Sequence, residues 1–350
     1  MAAVVHVLAA DGGGDESMDK EKYMKFTGVN PHFAKIMWTA MLIAACCVLV
    51  IGSPAAPQTQ AAAAVATQSA QKTFDTPQQA ADTMILAVKN DDVAALLEIF
   101  GPAGKDFVAS GDDVQDKNSR ANFAAKAQEK THVDIDSKNP NLAILSVGEE
   151  DWPTPVPIVK QGGKWHFDSK AGRTEILNRH IGENELDAIL ICRGYDDAQE
   201  EYAAEIHDDS GVNQYAQRII SSPGKHDGLA WMNPDGSWGG PVGETVAKGL
   251  EEGYTDKGKP FHGYYFKILK GQGPAARLGQ LDYVIEGAMI GGFALVAVPA
   301  QYRVTGVMTF IVSYDGVVYQ KDLGPDSLDI VKKMERYNPD KTWQPTDDEE

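Results

Sequence analysis

The chain has 350 residues, of which 43% are hydrophobic and 23% charged, with six tryptophans; this excludes wholesale disorder and fits about two domains of roughly 150 residues each. A formal charge of −18 without a Lys/Arg run excludes a broad nucleic-acid footprint, because phosphate binding needs clustered cations. The acidic surface favours solubility and specifies no partner.

In chain order the first feature is an export segment. Lys35 precedes an uncharged apolar stretch, Ile36 to Ile51, and small residues with Pro54 follow. This is the basic flank, apolar core and small-residue exit of a secretory signal. The stretch is slightly shorter than the roughly 17 to 25 residues of a spanning helix, so cleavage is the favoured expectation and anchoring its alternative. The acidic, Gly-rich "DGGGDESMDKEK" is unlike a signal start, whereas "MKFTGVNPHFAK" from Met24 is short and basic; translation is expected to begin at Met24. "IAAC", Ile43 to Cys46, has the form of a lipoprotein cleavage box, although the apolar run continues past it. Cys192 is the only cysteine beyond the segment, which leaves no intramolecular disulfide in a mature chain. The expected location is periplasmic or extracellular, with membrane contact only through an uncleaved or lipidated N-terminal segment.

An Ala/Gln/Thr/Ser/Pro stretch to residue 70 reads as a tether. Folded sequence starts near "TFDTPQQAADTMILAVKN". Thr76 is a good N-cap with Pro77 at the first helical position, and Ala80, Met84, Ile85 and Val88 recur on one face. A second helix carries Val93, Leu96, Leu97 and Phe100 and stops at Gly101-Pro102, and a polar helix spans about Ser119 to Lys130. "NLAILSVG" and "VPIVKQGGKWHFDS" read as strands, the latter a hairpin turning at Gly162-Gly163. Periodicity then predicts a long helix from Glu183 to about Ile206. Ser221 to Lys259, with Trp231 and Trp238, reads as ordered irregular structure. Four strand-like units follow, "HGYYFKILKG", "DYVIEG", "GGFALVAVP" and "TGVMTFIVSYDGVVYQKDL", with a type I′ turn expected at Asp315-Gly316. Beyond Trp343 an acidic, disordered tail is expected. The fold class is α+β: N-terminal helices with a curled, cone-like antiparallel sheet over 71–181, then a long helix packed on an antiparallel meander over 182–343, with 1–70 outside the folded part and 344–350 as tail.

Four separated blocks, "EDWPTPVPIVKQGGKWHFDSKAGRTEIL", "YAQRIISSPGKHDGLAW", "HGYYFKILKGQGPAA" and "MIGGFALVAVPAQYRVTGVMTFIVSYDGVVYQKDLGPD", resemble in order a bacterial family of exported proteins, DUF2950. The resemblance covers about Phe74 to Trp343 and implies a soluble exported protein with no settled activity. In element order, the first half is similar to nuclear-transport-factor-like cones. The second half, Glu183 to Asp322, is similar in architecture to pilins and pseudopilins, although about a hundred residues separate its helix from the export segment.

Candidate sites are sparse. A DxDxDG calcium loop needs oxygen ligands at alternating positions and a glycine at the sixth. With Gly211 at the sixth, "EIHDDSGVN" keeps Asp208, Asp209, Ser210 and Asn213 as oxygen donors, while Ile206 and Gln217 stand where ligands belong. Weak calcium binding is one reading and a capped, helix-ending turn the other; no other cofactor is implied. His226-Asp227 could orient a histidine tautomer for hydrolysis, or be a solvated loop. His262 with Tyr264 and Tyr265 reads as a pocket wall or ordinary strand surface. Cys192 reads as buried. Ser221-Ser222 lacks a nucleophile-elbow frame and "GQGPAARLG" lacks a phosphate-loop lysine. The expectation is a non-catalytic envelope protein that binds a protein partner or organises an assembly; the alternative is a module whose N-terminal cone holds a small apolar or cell-wall-derived ligand against Trp152, Trp165 and Phe167.

Overall fold

A computed structural model describes residues 71–346 apart from 112, 208–210 and 255–258. The expected export segment, tether and Met24 start lie outside the described residues, as do Asp208, Asp209 and Ser210.

The N-terminal half opens with helix α1 (Pro77–Lys89), capped by Thr76 Oγ1 accepting from Gln79 N–H. Helix α2 (Val93–Phe100) follows, capped by Asp92, and the short α3 (Lys105–Val108) leads into α4 (Asp113–Glu129). Five strands come next: β1 (Thr131–Ile135), β2 (Leu142–Val147), β3 (Trp152–Pro153), β4 (Ile158–Gln161) and β5 (Lys164–Phe167). They form one antiparallel sheet in the order β1-β2-β4-β5, with β3 on β2. The β4–β5 hairpin turns where expected: Gln161 pairs with Lys164, and Gly162 and Gly163 both take positive φ, 59° and 85°, as a type I′ turn requires. Phe74 extends the β5 edge by exchanging both backbone hydrogen bonds with Trp165 at 2.8 Å. Helix α1 packs on α4 and touches strands at both edges of the sheet. Met84, Ile99, Phe107, Leu145 and Ile158 sit in the resulting core.

Helix α5 runs from Ser169 to Ala203, 35 residues, about 52 Å at 1.5 Å per residue. It starts fourteen residues before the expected Glu183, because Asp168 caps it by accepting from Ala171 N–H at 3.0 Å. Each end has its own core. Ser169, Gly172 and Ile176 are buried in the first half, where Ser169 Oγ donates to Phe100 O and Arg173 to Ala103 O, both at 2.6 Å. Ala188, Cys192, Tyr195, Ala198 and Tyr202, spaced by three and four, face the second core. The 169–182 part of the helix was hidden by Gly182 and by its mixed faces, since burial at both ends, not propensity, holds it helical.

The second half carries a small hairpin, β6 (Trp231–Met232) with β7 (Trp238–Gly239), and helix α6 (Glu244–Tyr254), which replaces part of the expected irregular stretch. Ala247 and Leu250 of α6 are buried against the edge strand β8 (Tyr264–Leu269). Short pairs follow, β9 (Gly271–Gln272) with β10 (Leu281–Asp282) and β11 (Val284–Ile285) with β12 (Ala288–Met289). The main sheet adds β13 (Ala294–Pro299), β14 (Met308–Ser313), β15 (Tyr319–Asp322) and β16 (Gln344–Pro345), in the antiparallel order β16-β15-β14-β13-β8, with α7 (Ser327–Lys332) beside β13. Helix α5 packs on β14 and β13. All six residues of β13 are buried, which requires cover on both faces. The alternation along β8 shows it: Tyr264, Phe266 and Ile268 are buried, while Lys267 Nζ reaches the carbonyls of Val331, Lys332 and Met334 at the end of α7.

Two local expectations are corrected. Gly316 N–H donates to Ser313 O at 2.9 Å, so the turn centres on Tyr314-Asp315, and only Gly316 has positive φ, 73°. Tertiary contacts override the local Asp-Gly preference: Tyr314 packs edge-on against Tyr283, and the Tyr337 hydroxyl reaches both Asp315 carboxyl oxygens at 3.4 Å. Beyond Trp343, Gln344–Pro345 pairs with β15 and Thr346 is buried, its N–H donating to Val318 O; the expected disordered tail is thus structured at its start.

Candidate functional site

The sequence of the N-terminal half forces a pocket. Helices α1, α2 and α4 present Met84, Leu96, Phe100 and Phe123 on their inner faces, α3 adds Phe107, and β5 contributes Phe167 from the strand face. Three aromatic rings meet at the centre: Phe100 lies 5.3 Å edge-on from Phe107 and 5.0 Å from Phe167, centroid to centroid, the spacing aromatic pairs prefer. Rigid rings at such angles cannot fill the concavity completely. The pocket that remains is apolar, with an interior volume of about 40 Å³.

Polar groups interrupt this wall at few points. Asp116 is 2% exposed, and burial demands hydrogen-bond partners for its carboxyl group. Ser110 supplies them, donating from N–H at 2.8 Å and from Oγ at 2.6 Å. Arg120, one turn along α4, also lines the pocket, but its Nε donates to Asp91 Oδ1 at 2.7 Å and its Nη1 to Val108 O at 3.2 Å. Asp91 is held at φ 54° between α1 and α2, which aims that carboxylate at the helix. Thr154 follows β3; its N–H donates to Leu145 O at 2.7 Å, and its side-chain Oγ1 is buried with no hydrogen-bond partner.

Of the three residues expected to line this space, the structure brings one to it. Phe167 stands in the wall. Trp165, two residues earlier on the same strand face, is buried in the adjoining core, with Lys160 Nζ 5.8 Å above its ring. Trp152 is only half-buried; the Arg179 guanidinium covers it at 5.0 Å while Arg179 also bonds Glu175 and Pro153 O, so it clamps β3 to α5. Sequence reading missed Asp116, Arg120 and Phe123. Asp116 precedes the polar helix expected over about Ser119 to Lys130; the helix in fact starts at Asp113, which puts the three at a spacing of four and three.

The second half holds an open groove of about 810 Å³ between the β11–β12 hairpin and the 224–227 loop. Val212, Ile285 and Ile290 are exposed there beside Lys225, His226 and Glu286. His226 stacks on Trp231 at 4.4 Å, while Asp227 accepts from Ser222 N–H and Oγ and faces Arg218 at 3.9 Å. Burial pushes the Asp227 carboxyl up, but the Ser222 bonds and Arg218 outweigh it and hold it below the usual value. No hydrogen bond joins His226 to Asp227 among the described residues, so the pair lacks the geometry of an oriented base.

Asn213, the described member of the calcium-loop set, donates from Nδ2 to Ala203 O at 2.8 Å and so ties the following segment to the end of α5, and Gly211 has φ 71°. Among the described residues no three His, Cys, Asp or Glu side chains cluster to hold a metal. Nor is any described helix long and apolar enough to cross a membrane. His262 bonds Asp187, while Tyr264 is buried with its hydroxyl on Met308 O.

Compared with known proteins, residues 71–346 match the family described as Protein of unknown function (DUF2950). No curated protein and no solved structure matches the chain.

Proposed function

Starting from a chain that belongs to the DUF2950 family, we propose an exported envelope protein that works by binding, with the N-terminal pocket holding a small, largely apolar ligand. The observation that carries this reading is the apolar pocket ringed by Phe100, Phe107 and Phe167. Concave, mostly apolar spaces with few polar groups are the usual form of small-molecule sites. Export rests on the apolar stretch Ile36 to Ile51 behind Lys35. Two experiments test the two parts. Cell fractionation should find the chain outside the cytoplasm, and a cytoplasmic chain refutes export. Titration with xenon, followed through the Met84 methyl resonance by NMR, should shift that resonance saturably; a resonance indifferent to xenon refutes the pocket reading.

A second reading, binding of a protein partner or organisation of an assembly, is favoured by the groove with exposed Val212, Ile285 and Ile290. Exposed aliphatic side chains beside charged ones suit a protein surface. The pilin-like architecture, a long helix on an antiparallel sheet, belongs to this reading. Ile285→Asp with Ile290→Asp should abolish co-purification of any envelope partner; retention of the partner refutes the groove as its seat.

A further inference from the structure

We infer that the outer edge of β1 is a self-association site, at which a second copy of the chain pairs its own β1 antiparallel to the first in a two-fold register centred on Val133. The inference is independent of what the N-terminal pocket or the groove holds.

Backbone direction is the first support. Strand β1 ends the sheet order β1-β2-β4-β5 and pairs with β2 alone. At its two ends Gly148 N–H donates to Lys130 O at 3.0 Å and Asp136 N–H to Leu142 O at 2.9 Å. Hydrogen bonding in an antiparallel ladder alternates along the strand. His132 and Asp134 therefore bond to β2, while Thr131, Val133 and Ile135 turn their N–H and C=O groups outward. Among the described residues none of these outward groups meets a partner. Such a row is a template for another strand, and no proline, lysine or bulge blunts it.

Side chains select the occupant and the register. Centred on Val133, two antiparallel copies bring Val133 opposite Val133, Thr131 opposite Ile135 and His132 opposite Asp134. Every outward N–H then faces an outward C=O. His132 and Asp134 fall in the non-hydrogen-bonded pairs, where facing side chains are closest and opposite charges stabilise. A slip of one residue sets outward backbone groups against inward ones. A slip of two sets two His132 rings or two Asp134 carboxylates face to face and loses the opposed pairs. In the single chain His132 Nε2 and Asp134 Oδ1 lie 2.8 Å apart with side chains 57% and 69% exposed. One ring nitrogen and one carboxyl oxygen remain to meet the second copy.

The other face of β1 gives the apolar part. Thr131, Val133 and Ile135 lie beside Val147, Leu145 and Ala143 of β2, all three buried. Ile135 is nevertheless 54% exposed, although Ala143 opposite it is fully buried. The core face of the sheet runs out at Ile135, and Thr131 and Val133 of the second copy extend the sheet over it.

A five-residue edge makes an interface at the small, transient end of the range, so the association is best read by trapping it. The full chain carries serine at Cys46 and Cys47, and Cys192 is completely buried. Facing residues of a hydrogen-bonded pair have Cα atoms about 5.5 Å apart, within disulfide reach; a residue four positions along is displaced by about 14 Å. Under mild oxidation Val133→Cys is expected to form a disulfide-linked dimer. Thr131→Cys and Ile135→Cys should each give about tenfold less alone and link when mixed. Adding His132→Asp to Val133→Cys should lower the yield about threefold or more, and adding Asp134→Lys to that chain should restore it. Circular dichroism checks that each variant is folded, and the mixed pair reads the same register should Val133→Cys fail to fold. No dimer from the folded variants overturns the inference. Equal yields from Val133→Cys and Ile135→Cys overturn the register, and a yield indifferent to His132→Asp overturns the pairing of His132 with Asp134.

Discussion

The side-chain amide of Gln199 holds the backbone of Ala216 at both ends: Oε1 accepts from Ala216 N–H at 2.8 Å and Nε2 donates to Ala216 O at 2.8 Å. Gln199 is fully buried on α5, and its Nε2 also donates to the Tyr195 hydroxyl at 2.8 Å. One side chain thus does the work of a strand neighbour for the segment after the helix. Replacing it with leucine orphans two buried backbone groups, at about 1–3 kcal/mol each. Gln199→Leu is expected to lose about 2–5 kcal/mol in urea denaturation; a loss below about 1 kcal/mol contradicts this.

The His262 ring is tied to α5 by a 2.6 Å hydrogen bond between Nδ1 and Asp187 Oδ2. That bond, with burial opposing it and Glu183 adding to it, raises the histidine above its ordinary value of 6.5. A raised histidine contributes stability that is complete below the unfolded value and fades as pH rises through the folded one. With side chains 35% and 24% exposed, solvent limits the contribution to about 0.5–1 kcal/mol. The stability difference between wild type and Asp187→Asn should therefore be larger at pH 6 than at pH 9. A difference that grows with pH rejects the pairing.

Two glycines of α5 should respond oppositely to alanine. At Gly182 an added Cβ meets no atom within 4 Å, so Gly182→Ala should stabilise by about 1 kcal/mol through helix propensity. At Gly172 the Cβ would lie 2.6 Å from Val156 Cγ2, and the stiff valine wall of the pocket cannot yield. Gly172→Ala should cost about 1–3 kcal/mol. Thermal melts of the two variants give the signs; equal signs contradict the geometry.

Cys192 is completely buried, and that burial pushes its thiol up to about 12. A thiol neither ionised nor reachable does not react. With Cys46 and Cys47 replaced by serine, Ellman's reagent should label Cys192 in urea and leave it untouched in the native chain over the same interval at pH 8. Prompt native labelling would show that α5 leaves the sheet readily.

Local signals in the sequence were legible where local chemistry decides. Thr76-Pro77 starts α1, and Gly162-Gly163 turns β4 into β5, because caps and positive φ are properties of a few adjacent residues. Trp152, Trp165 and Phe167 were expected together as the wall of the cone, and Phe167 alone of the three stands in the pocket wall. Thr154 and Asp116 were not: the first matters because no partner reaches its hydroxyl, the second because Ser110 folds back onto α4. The early part of α5 was hidden for a similar reason, since two cores far apart in the chain bury its two ends. The turn near Asp315 followed Tyr283 and Tyr337 against its own dipeptide preference.

Xenon tests, without assuming any ligand chemistry, whether the N-terminal pocket accepts an apolar guest. Apolar cavities of sufficient size bind xenon under pressure. A crystal of the protein pressurised with xenon should show an anomalous peak between Phe100, Phe123 and Phe167. Diffraction of good quality with no xenon there, at pressures that fill cavities in other proteins, would contradict the claim.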